Sequence, residues 1–334
     1  MAHPIAVVTG AAGFIGSHMT GLLLDRGYRV HGIDNLVGGR VKNLDDYTAN
    51  PNLVFEVRDV RDLKPGDALF RDARYVFHFA GVGDIVPSID RPVEYMSANV
   101  MGTVCVLEAA RHAGVAKLVY AASSSCFGST CETPTPETAP IKPEYPYALS
   151  KYMGEQAVLH WGKLYRLPVM SVRIFNAYGP RSATRGAYGA VFGVFLAQKL
   201  AGKPFTLVGD GTQSRDFVFV ADVVRAFLLA AESPLTQQVY NLGTGRPQTV
   251  NRLIELLGGD VVRVPKRPGE PDSTWAEITK IQTELGWAPT VSFEEGVAEM
   301  LRNLEYWREA RVWEPESIRA ATEGWFAALS GEQT

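Results

Sequence analysis

The sequence predicts a doubly wound α/β fold, in which a parallel β-sheet carries helices on both faces, with a smaller α+β region beside it. Three observations predict it. Short apolar runs alternate with longer helical patterns over the first half of the chain. A glycine-rich turn joins the first run to the first helical pattern. Beyond residue 175, glycine and proline clusters divide the chain into shorter elements. We therefore predict two partly interleaved regions, 1–175 and 176–334.

The predicted strands are apolar throughout rather than alternating, as expected for strands buried on both faces. They are Ile5–Thr9, Arg29–Ile33, Leu53–Val57, Tyr75–Ala80, Leu118–Ser123 and Val169–Arg173. Helical patterns lie between them, at Ile15–Arg26, Val93–Ala113 and Tyr147–Tyr165. The segment Gly128–Pro146 reads as a long surface loop, and Arg302–Glu316 as a charged, tryptophan-containing helix or helix end.

Composition excludes several classes of protein. The chain has 334 residues and a formal net charge of −3, whereas a nucleic-acid binder usually carries a basic excess. Its three cysteines fit neither a disulfide framework nor a zinc site, so we predict no metal. No apolar run is long enough for a membrane helix and no signal peptide is apparent. We expect a cytoplasmic protein without nucleic-acid or membrane partners.

The turn after the first strand has the composition of a phosphate-binding loop. Its glycines are Gly10, Gly13 and Gly16, and the segment runs through Phe14 and Ile15 into the first helix. Glycine lets the backbone approach a pyrophosphate closely, and the helix N-terminus offers unpaired N–H groups to it. A strand before and a helix after give this motif the context it needs.

An acidic residue ends the second strand. Asp34, followed by Asn35, lies eighteen residues beyond Gly16. A carboxylate there can hold the adenosine ribose hydroxyls and would repel the additional phosphate of NADP. The sequence therefore predicts NAD as the cofactor.

Two further strand ends have a functional and a plain interpretation. Asp59 and Val60 follow the third strand, where an adenine edge could bind, yet Asp59 could equally cap a helix. Phe79, Ala80 and Gly81 end the fourth strand beside the expected cofactor, yet Gly81 could equally form a simple turn.

A candidate catalytic set lies on the fifth strand and the helix after it. Tyr147 and Lys151 are four residues apart, which places both on one helix face. A nearby ammonium group favours the phenolate, so a tyrosine could exchange a proton with an alcohol at neutral pH. Ser123 ends the fifth strand, and ligands of doubly wound sheets bind beyond the carboxyl ends of the strands.

Together these residues resemble the extended short-chain dehydrogenase/reductase family over nearly the whole chain. The segments that carry the resemblance are Thr9–Gly16, Asp34, Phe79–Gly81, Asn99, Ser123–Ser125, Tyr147/Lys151, Arg173–Arg181 and Gly209–Phe217. The last two are typical of members that act on nucleoside diphosphate sugars. The resemblance implies a Rossmann-type NAD-binding domain, a cofactor contact by Asn99 and a homodimer formed through Val93–Ala113 and Tyr147–Tyr165.

The resemblance also implies how a nucleotide sugar, with UDP favoured, would be held. Asn176 and Arg215 would contact the diphosphate, with Arg267 joining them, since arginine forks suit phosphate oxygens. Glu270 would hold the nucleotide ribose. Singly, Arg215 and Arg267 could also be surface ion-pair residues.

The residues after Ser123 bear on the reaction. Family dehydratases and decarboxylases usually carry an acid one or two places later, where this chain has Ser124 and Ser125, which we assign to the substrate. That difference favours a 4-epimerase, which returns the hydride to the other face of a 4-keto sugar. A 4,6-dehydratase with an unusual acid, or an NAD-binding regulatory protein, are the alternatives. Cys126 could be a second acid or base, or a packed small residue.

The sugar itself is left open by the sequence. Arg181 and Arg185 could bind the carboxylate of a uronic acid, or phosphate or solvent. Thr274, the residue before Trp275, corresponds to a sugar-pocket position at which a bulky side chain excludes N-acetyl groups. Because threonine is small, we predict that a bulky C2 substituent is tolerated. A hexose, an N-acetylhexosamine and a hexuronic acid all remain candidates.

Overall fold

The computed structural model describes residues 3–129, 131–182, 191–266 and 268–329. The helices are α1 Phe14–Asp25, α2 Pro92–Met96, α3 Gly102–Ala113, α4 Pro146–Tyr165, α5 Val191–Leu200, α6 Val220–Glu232, α7 Val250–Leu257, α8 Thr279–Leu285, α9 Phe293–Arg302 and α10 Pro315–Leu329. The strands are β1 Ile5–Thr9, β2 Arg29–Asp34, β3 Leu53–Val57, β4 Ala73–His78, β5 Lys117–Ser123, β6 Val169–Ile174, β7 Asn176–Tyr178, β8 Phe205–Val208, β9 Ser214–Arg215, β10 Phe217–Phe219, β11 Gln238–Leu242, β12 Gln248–Thr249 and β13 Val261–Val264.

The central sheet has seven parallel strands in the order β3-β2-β1-β4-β5-β6-β11. The order reverses between β1 and β4, which is where doubly wound sheets bind their ligands. The predicted fold class is therefore confirmed. The seventh strand comes from beyond residue 175, so the two predicted regions share one sheet.

Helices cover both faces of this sheet because successive strand residues point to opposite sides. Ala6 and Val8 pack with α1 and α6 on one face, whereas Val7 packs with α3 and α4 on the other. All three side chains are fully buried. The strands are apolar without interruption in the sequence because both of their faces are buried under helices.

The second region builds its own core from the three small strand pairs β7–β10, β9–β12 and β8–β13. Aromatic side chains dominate that core, with the Tyr178 and Phe192 rings stacked at 4.6 Å. The pair β7–β10 is parallel and brings Asn176 beside Phe217. This pairing carries residues of the second region to the carboxyl edge of the central sheet.

The helical pattern over Val93–Ala113 is confirmed, since residues 92–113 are helical throughout, with a π-helical turn at Ser97–Met101 between α2 and α3. The segment Arg302–Glu316, expected as a helix or helix end, starts at the end of a helix and is not one continuous helix. α9 ends at Arg302, where the Asn303 side chain donates to the Glu299 carbonyl (2.9 Å), and a short 3-10 turn follows over Leu304–Trp307.

The helix α4, which carries the candidate residues Tyr147 and Lys151, is fixed to the sheet by a buried ion pair. Glu155 on α4 accepts two hydrogen bonds from Arg173 on β6, at 2.6 and 3.0 Å, and a third from the Ser171 hydroxyl at 2.8 Å. The Glu155 and Arg173 side chains are only 1% and 6% exposed. Arg173 also donates to the Glu137 carbonyl (3.1 Å), so the loop before α4 shares the same anchor.

We predict that Glu155→Ala lowers the free energy of unfolding by about 3–5 kcal/mol, because it leaves the Arg173 charge buried without its partner. Urea denaturation followed by circular dichroism measures this. The matched control is Glu305→Ala, which breaks a largely exposed pair with Arg308 and should cause no measurable change. Equal effects of the two substitutions would contradict the assignment.

Candidate active site

The turn between β1 and α1 has the geometry of a pyrophosphate cradle. Gly10 has φ +72° and its N–H donates to the Ile33 carbonyl (2.7 Å). A Cβ at Gly16 would lie 2.0 Å from the Gly10 carbonyl oxygen, so this helix start requires glycine. Gly13 is the N-cap of α1, and the helix begins at Phe14 with its N–H groups available.

Asp34 ends β2 beside this turn. Its carboxylate accepts hydrogen bonds from the N–H of Ala12 (3.0 Å) and the N–H of Leu36 (2.8 Å). Burial raises the pKa of Asp34, and these backbone donors oppose the rise. The aspartate is thereby held at the switch point, where the adenosine ribose would lie.

Asp59 caps a helical turn, as its plain interpretation expects, and it also contacts the residue that follows Asp34. It caps the 3-10 turn Val60–Asp62 by accepting from the Arg61 N–H (2.8 Å), and the Arg61 guanidinium holds its pKa well below the usual range. Its other carboxylate oxygen accepts from the Asn35 side chain (2.8 Å), next to Asp34. One side chain therefore links the ends of β2 and β3.

Asn99 lies on the π-helical turn and holds the loop after β4. Its amide accepts from the Val82 N–H (2.8 Å) and donates to the Val82 carbonyl (3.1 Å) and to the Ser150 hydroxyl (2.9 Å). A Cβ at Gly81 would lie 2.7 Å from the Asn99 oxygen and 3.9 Å from the Lys151 ammonium. Asn99 on the π turn thus joins the loop after β4 to α4, and such turns are frequent at functional sites.

A buried chain of hydrogen bonds supports this loop from below. Thr103 donates to the Asn99 carbonyl (2.7 Å), so it accepts from Nε2 of His78 (2.9 Å). Thr9 donates to Nδ1 of His78 (2.7 Å) and accepts from the Ala80 N–H (3.3 Å). Burial lowers the pKa of His78 to about 3, which fixes a neutral imidazole. Neither His78 nor Thr103 carried a motif that would have singled them out.

The three candidate catalytic residues converge at the carboxyl end of β5. Ser123 Oγ donates to Ser125 Oγ (3.1 Å) and accepts from the Ser125 N–H (3.2 Å). The Ser123 side chain is also hydrogen-bonded to the Tyr147 hydroxyl. Tyr147 stands in the first turn of α4, and Lys151 follows one turn later. The Lys151 ammonium lies 4.5 Å from the centre of the Tyr120 ring.

Burial shapes the electrostatics of this set. It raises the pKa of Tyr147, against the lowering effect of the Ser123 hydrogen bond, and the Asp84 charge raises it further. Burial lowers the pKa of Lys151 to about 8, and the Glu155 charge opposes this. At neutral pH Tyr147 is therefore a neutral phenol, and Lys151, one helical turn later, carries an ammonium group that loses its proton more readily than usual.

Residues of the second region meet at the same edge of the sheet. The Thr274 hydroxyl donates to the Asn176 side chain (2.7 Å) and accepts from the Asp216 N–H (3.2 Å). Arg215 forms an ion pair with Glu270 (2.8 Å) in a partly buried setting. A cavity of about 280 Å³ adjoins Glu270, and its other lining residues are Val208, Gly209, Asp210, Thr212, Gln213, Lys266, Pro271 and Asp272.

The arginines considered for the sugar have different outcomes. Arg181 forms an ion pair with Asp46 (2.8 Å) and lies 5.4 Å from the centre of the Tyr47 ring, on the segment between β2 and β3. Asp46 and Tyr47 follow the strand that ends at Asp34, whereas Ser123 ends β5. Arg185 and Arg267 lie outside the described residues.

Cys126, the candidate second acid or base, is buried. Burial raises the pKa of Cys126 to about 12, so the thiol stays protonated at neutral pH. It packs with Phe127 and Ala139, as the plain interpretation expects. Ser124, the first residue of the same turn, is half-buried beside Ser123.

Sequence reasoning missed two aromatic residues and an acid in this site. The Tyr95 hydroxyl donates to the Asp84 carbonyl, and its ring meets the Tyr147 ring edge-on at 6.4 Å. Tyr145 precedes α4, and a hydrogen bond links it to Ser125. Tyr145 before a helix and Asp84 in a loop give no distinct signal in the sequence, because only the tertiary fold brings them close to Ser125 and Tyr147.

Within the described ranges, no cluster of His, Cys, Asp or Glu side chains is suited to a metal ion. Over the same ranges, no helix combines the length and the apolar character that crossing a bilayer requires.

We predict that Lys151→Met stabilises the nucleotide-free protein by about 1–3 kcal/mol at neutral pH, while removing its catalytic capacity. Below pH 8 the ammonium is charged in both states, but burial penalises it only in the folded one. As pH rises from about 8 towards the unfolded value of 10.5, the folded protein sheds the proton and the advantage of Met should shrink. Urea titrations across this pH range measure it, and a variant less stable than wild type at neutral pH would contradict it.

Comparison with known proteins agrees with this site. The NAD dependent epimerase/dehydratase family matches residues 6–243. The UDP-glucose 4-epimerase of Mycolicibacterium smegmatis is 36% identical over 310 residues, covering 90% of this chain and 98% of that protein. The UDP-glucuronate 4-epimerase of Thermodesulfobacterium geofontis is 32% identical over 327 residues, covering 94% and 98%.

A solved structure is similar over the same extent. UDP-N-acetylglucosamine 4-epimerase from Methanobrevibacter ruminantium superposes with a TM-score of 0.86 at 30% identity, covering 91% of this chain and 99% of that one. The family's dependence on NAD confirms the cofactor read from Asp34 and the glycine turn. The chain therefore belongs to the NAD dependent epimerase/dehydratase family of extended short-chain dehydrogenases/reductases.

Proposed function

We propose that this protein catalyses the NAD-dependent 4-epimerisation of a UDP-sugar. The observation that carries the proposal is the composition of the turn after Ser123. Ser123 and Tyr147 meet there, and the turn continues as Ser124–Phe127 with no carboxylic acid. Ser123 and Tyr147 suit the oxidation of the sugar at C4. The turn has no carboxylic acid that could serve the elimination of water in a dehydratase.

The residues divide the chemistry among them. Tyr147 must first lose its own proton, and the nearby Lys151 ammonium favours the resulting phenolate. The phenolate takes the proton of the C4 hydroxyl as C4 is oxidised, becomes a neutral phenol, and returns the proton when the hydride comes back, while Ser123 holds the sugar oxygen by a hydrogen bond. NAD, when bound, supplies the reversible hydride acceptor for C4. The 4-keto sugar then turns so that its opposite face meets the cofactor.

That rotation requires the nucleotide to stay fixed while the sugar moves. Arg215 and Asn176 come from the second region, away from α4, and suit the two phosphates. The Arg215 guanidinium donates a hydrogen bond to the Glu270 carboxylate, and a bound diphosphate would compete with Glu270 for the same N–H groups. The cavity beside Glu270 provides room for the nucleoside. UDP is the nucleotide named for the relatives reported above.

The surroundings of the sugar favour a neutral hexose or N-acetylhexosamine over a uronic acid. Arg181, a candidate partner for a sugar carboxylate, is engaged by Asp46. Thr274 is small and bonds to Asn176, which leaves space for a C2 substituent.

The proposal is tested by incubating the protein with UDP-, GDP-, CDP- and dTDP-sugars and analysing products by mass spectrometry and NMR. We expect UDP-hexoses inverted at C4 with unchanged mass. A 4,6-dehydratase, for which Asp84 would be the candidate acid, would release a product lighter by one water. Loss of water, or turnover by a Tyr147→Phe variant equal to that of wild type, would refute the epimerase assignment.

We predict that Thr274→Tyr lowers kcat/KM for an N-acetylated UDP-sugar at least tenfold more than for the plain UDP-hexose, because the ring fills the space beside C2. Thr274→Ser is the matched control, since it keeps the hydroxyl bonded to Asn176 without adding volume. An unchanged ratio of the two substrates in the tyrosine variant would contradict the prediction.

We further propose a homodimer formed through the helices α2, α3 and α4. Large apolar side chains are exposed on or beside these helices, namely Val93, Met101, Leu149, Met153, Leu164 and Tyr165. Exposed apolar side chains in such number suit a protein interface. Two copies related by a twofold axis would bury the same patch on each.

We predict that Met153→Glu converts the protein from dimer to monomer in sedimentation velocity. Met153 is 42% exposed on α4, so the charge would be tolerated in a monomer but buried in the proposed dimer. Val261→Glu is the matched control, since Val261 is 41% exposed on β13, outside this face. A wild-type protein that sediments as a monomer would refute the proposal.

A further inference from the structure

The C-terminal helix α10 reaches the substrate side of the molecule through one tryptophan. Trp325 is 5% exposed, and its indole N–H donates to the Pro268 carbonyl (2.9 Å). Its ring lies against the Tyr145 ring, with 5.1 Å between the centres and 54° between the planes. Trp325 therefore joins a loop of the second region to the residue that precedes the catalytic helix.

On the catalytic side, a short series of contacts leads from Tyr145 to the reacting hydroxyl. A hydrogen bond links Tyr145 to Ser125, and Ser123 Oγ lies 3.1 Å from Ser125 Oγ. A further hydrogen bond links Ser123 to Tyr147. The Tyr145 ring thus supports the serine turn that orients the proposed base.

On the nucleotide side, the loop that receives the indole N–H carries Glu270. Glu270 stands two residues beyond Pro268 and forms the ion pair with Arg215 at 2.8 Å. The loop also lies against the end of α10, since a Cβ at Gly269 would be 3.2 Å from the Leu329 side chain. The position of the Arg215 partner therefore depends on where α10 docks.

We propose that Trp325 is a positioning residue that sets the distance between the nucleotide-holding loop and the catalytic serine turn. The proposal rests on the epimerase function, because that reaction needs a nucleotide held in place while the sugar turns. A rigid indole with one apolar face and one N–H donor suits this role, since it has few rotamers to lose. Any large apolar side chain would fill the volume, but only tryptophan also provides the N–H for Pro268.

Three substitutions separate positioning from packing. Trp325→Phe keeps a ring against Tyr145 and removes the N–H, whereas Tyr145→Phe keeps the ring contact and removes the hydroxyl bonded to Ser125. Thr322→Ala is the control: Thr322 is a buried residue of the same helix, and its hydroxyl bonds to the Ile318 carbonyl within α10. This substitution removes hydrogen bonds that the Thr322 hydroxyl makes to carbonyls of α10 itself.

UDP affinity is measured by isothermal titration calorimetry, and KM and kcat with a UDP-hexose. We expect Trp325→Phe to weaken UDP binding and raise KM about fivefold, the effect of one lost hydrogen bond, with kcat nearly unchanged. Tyr145→Phe should lower kcat about fivefold and leave UDP affinity as in wild type. Thr322→Ala should change neither quantity.

Amide hydrogen exchange gives a readout that does not depend on turnover. Trp325→Leu should raise exchange both in the loop 268–272 and in the turn 123–127, which are far apart in sequence, while Thr322→Ala should raise it in α10 only. The proposal is overturned if Trp325→Phe binds UDP as wild type does, or if Thr322→Ala loses as much affinity. If exchange and UDP affinity respond as expected but no UDP-sugar is epimerised, the positioning role stands and the proposed function fails.

Discussion

The buried pair of Glu155 and Arg173 is the constraint on which the active site depends. It fixes α4 to β6, and α4 carries both Tyr147 and Lys151. Two buried charges are tolerated because Glu155 accepts three hydrogen bonds and Arg173 also reaches a backbone carbonyl. This anchor, together with the packing of α4 on the sheet, sets the distance of Tyr147 and Lys151 from Ser123 on the neighbouring strand.

The site also holds polar groups in states that cost stability. His78 is buried and neutral, and its two ring nitrogens are satisfied by threonine hydroxyls. Lys151 is buried where its charge is penalised, although the same charge favours the phenolate of Tyr147. At Lys151, the charge that suits the proposed reaction therefore lowers the stability of the fold. At His78 there is no such conflict, because its neutral ring serves only to support the loop held by Asn99.

The second region adds the part that a hydride-transfer site alone would lack. Thr274 bonds to Asn176, and Arg215 pairs with Glu270, so the residues suited to the diphosphate and the sugar come from separate strands and loops. Trp325 then ties the Glu270 loop back to Tyr145 beside the serine turn. The proposed epimerisation needs both a fixed nucleotide and a mobile sugar, and this arrangement separates the two tasks.

The sequence alone determined six of the seven strands, the glycine turn with Asp34 after the second strand, and the candidate set Ser123, Tyr147 and Lys151, because each depends on local spacing and on the position of strand ends. It did not predict the seventh strand, β11, or the π turn that carries Asn99, since a short strand at the sheet edge and a single widened helical turn leave little local pattern. Only the tertiary structure decided that Arg181 pairs with Asp46 and that Tyr145, Asp84 and Trp325 join the site. These residues are brought together by packing between segments far apart in the chain, and such contacts leave no periodic pattern in the sequence.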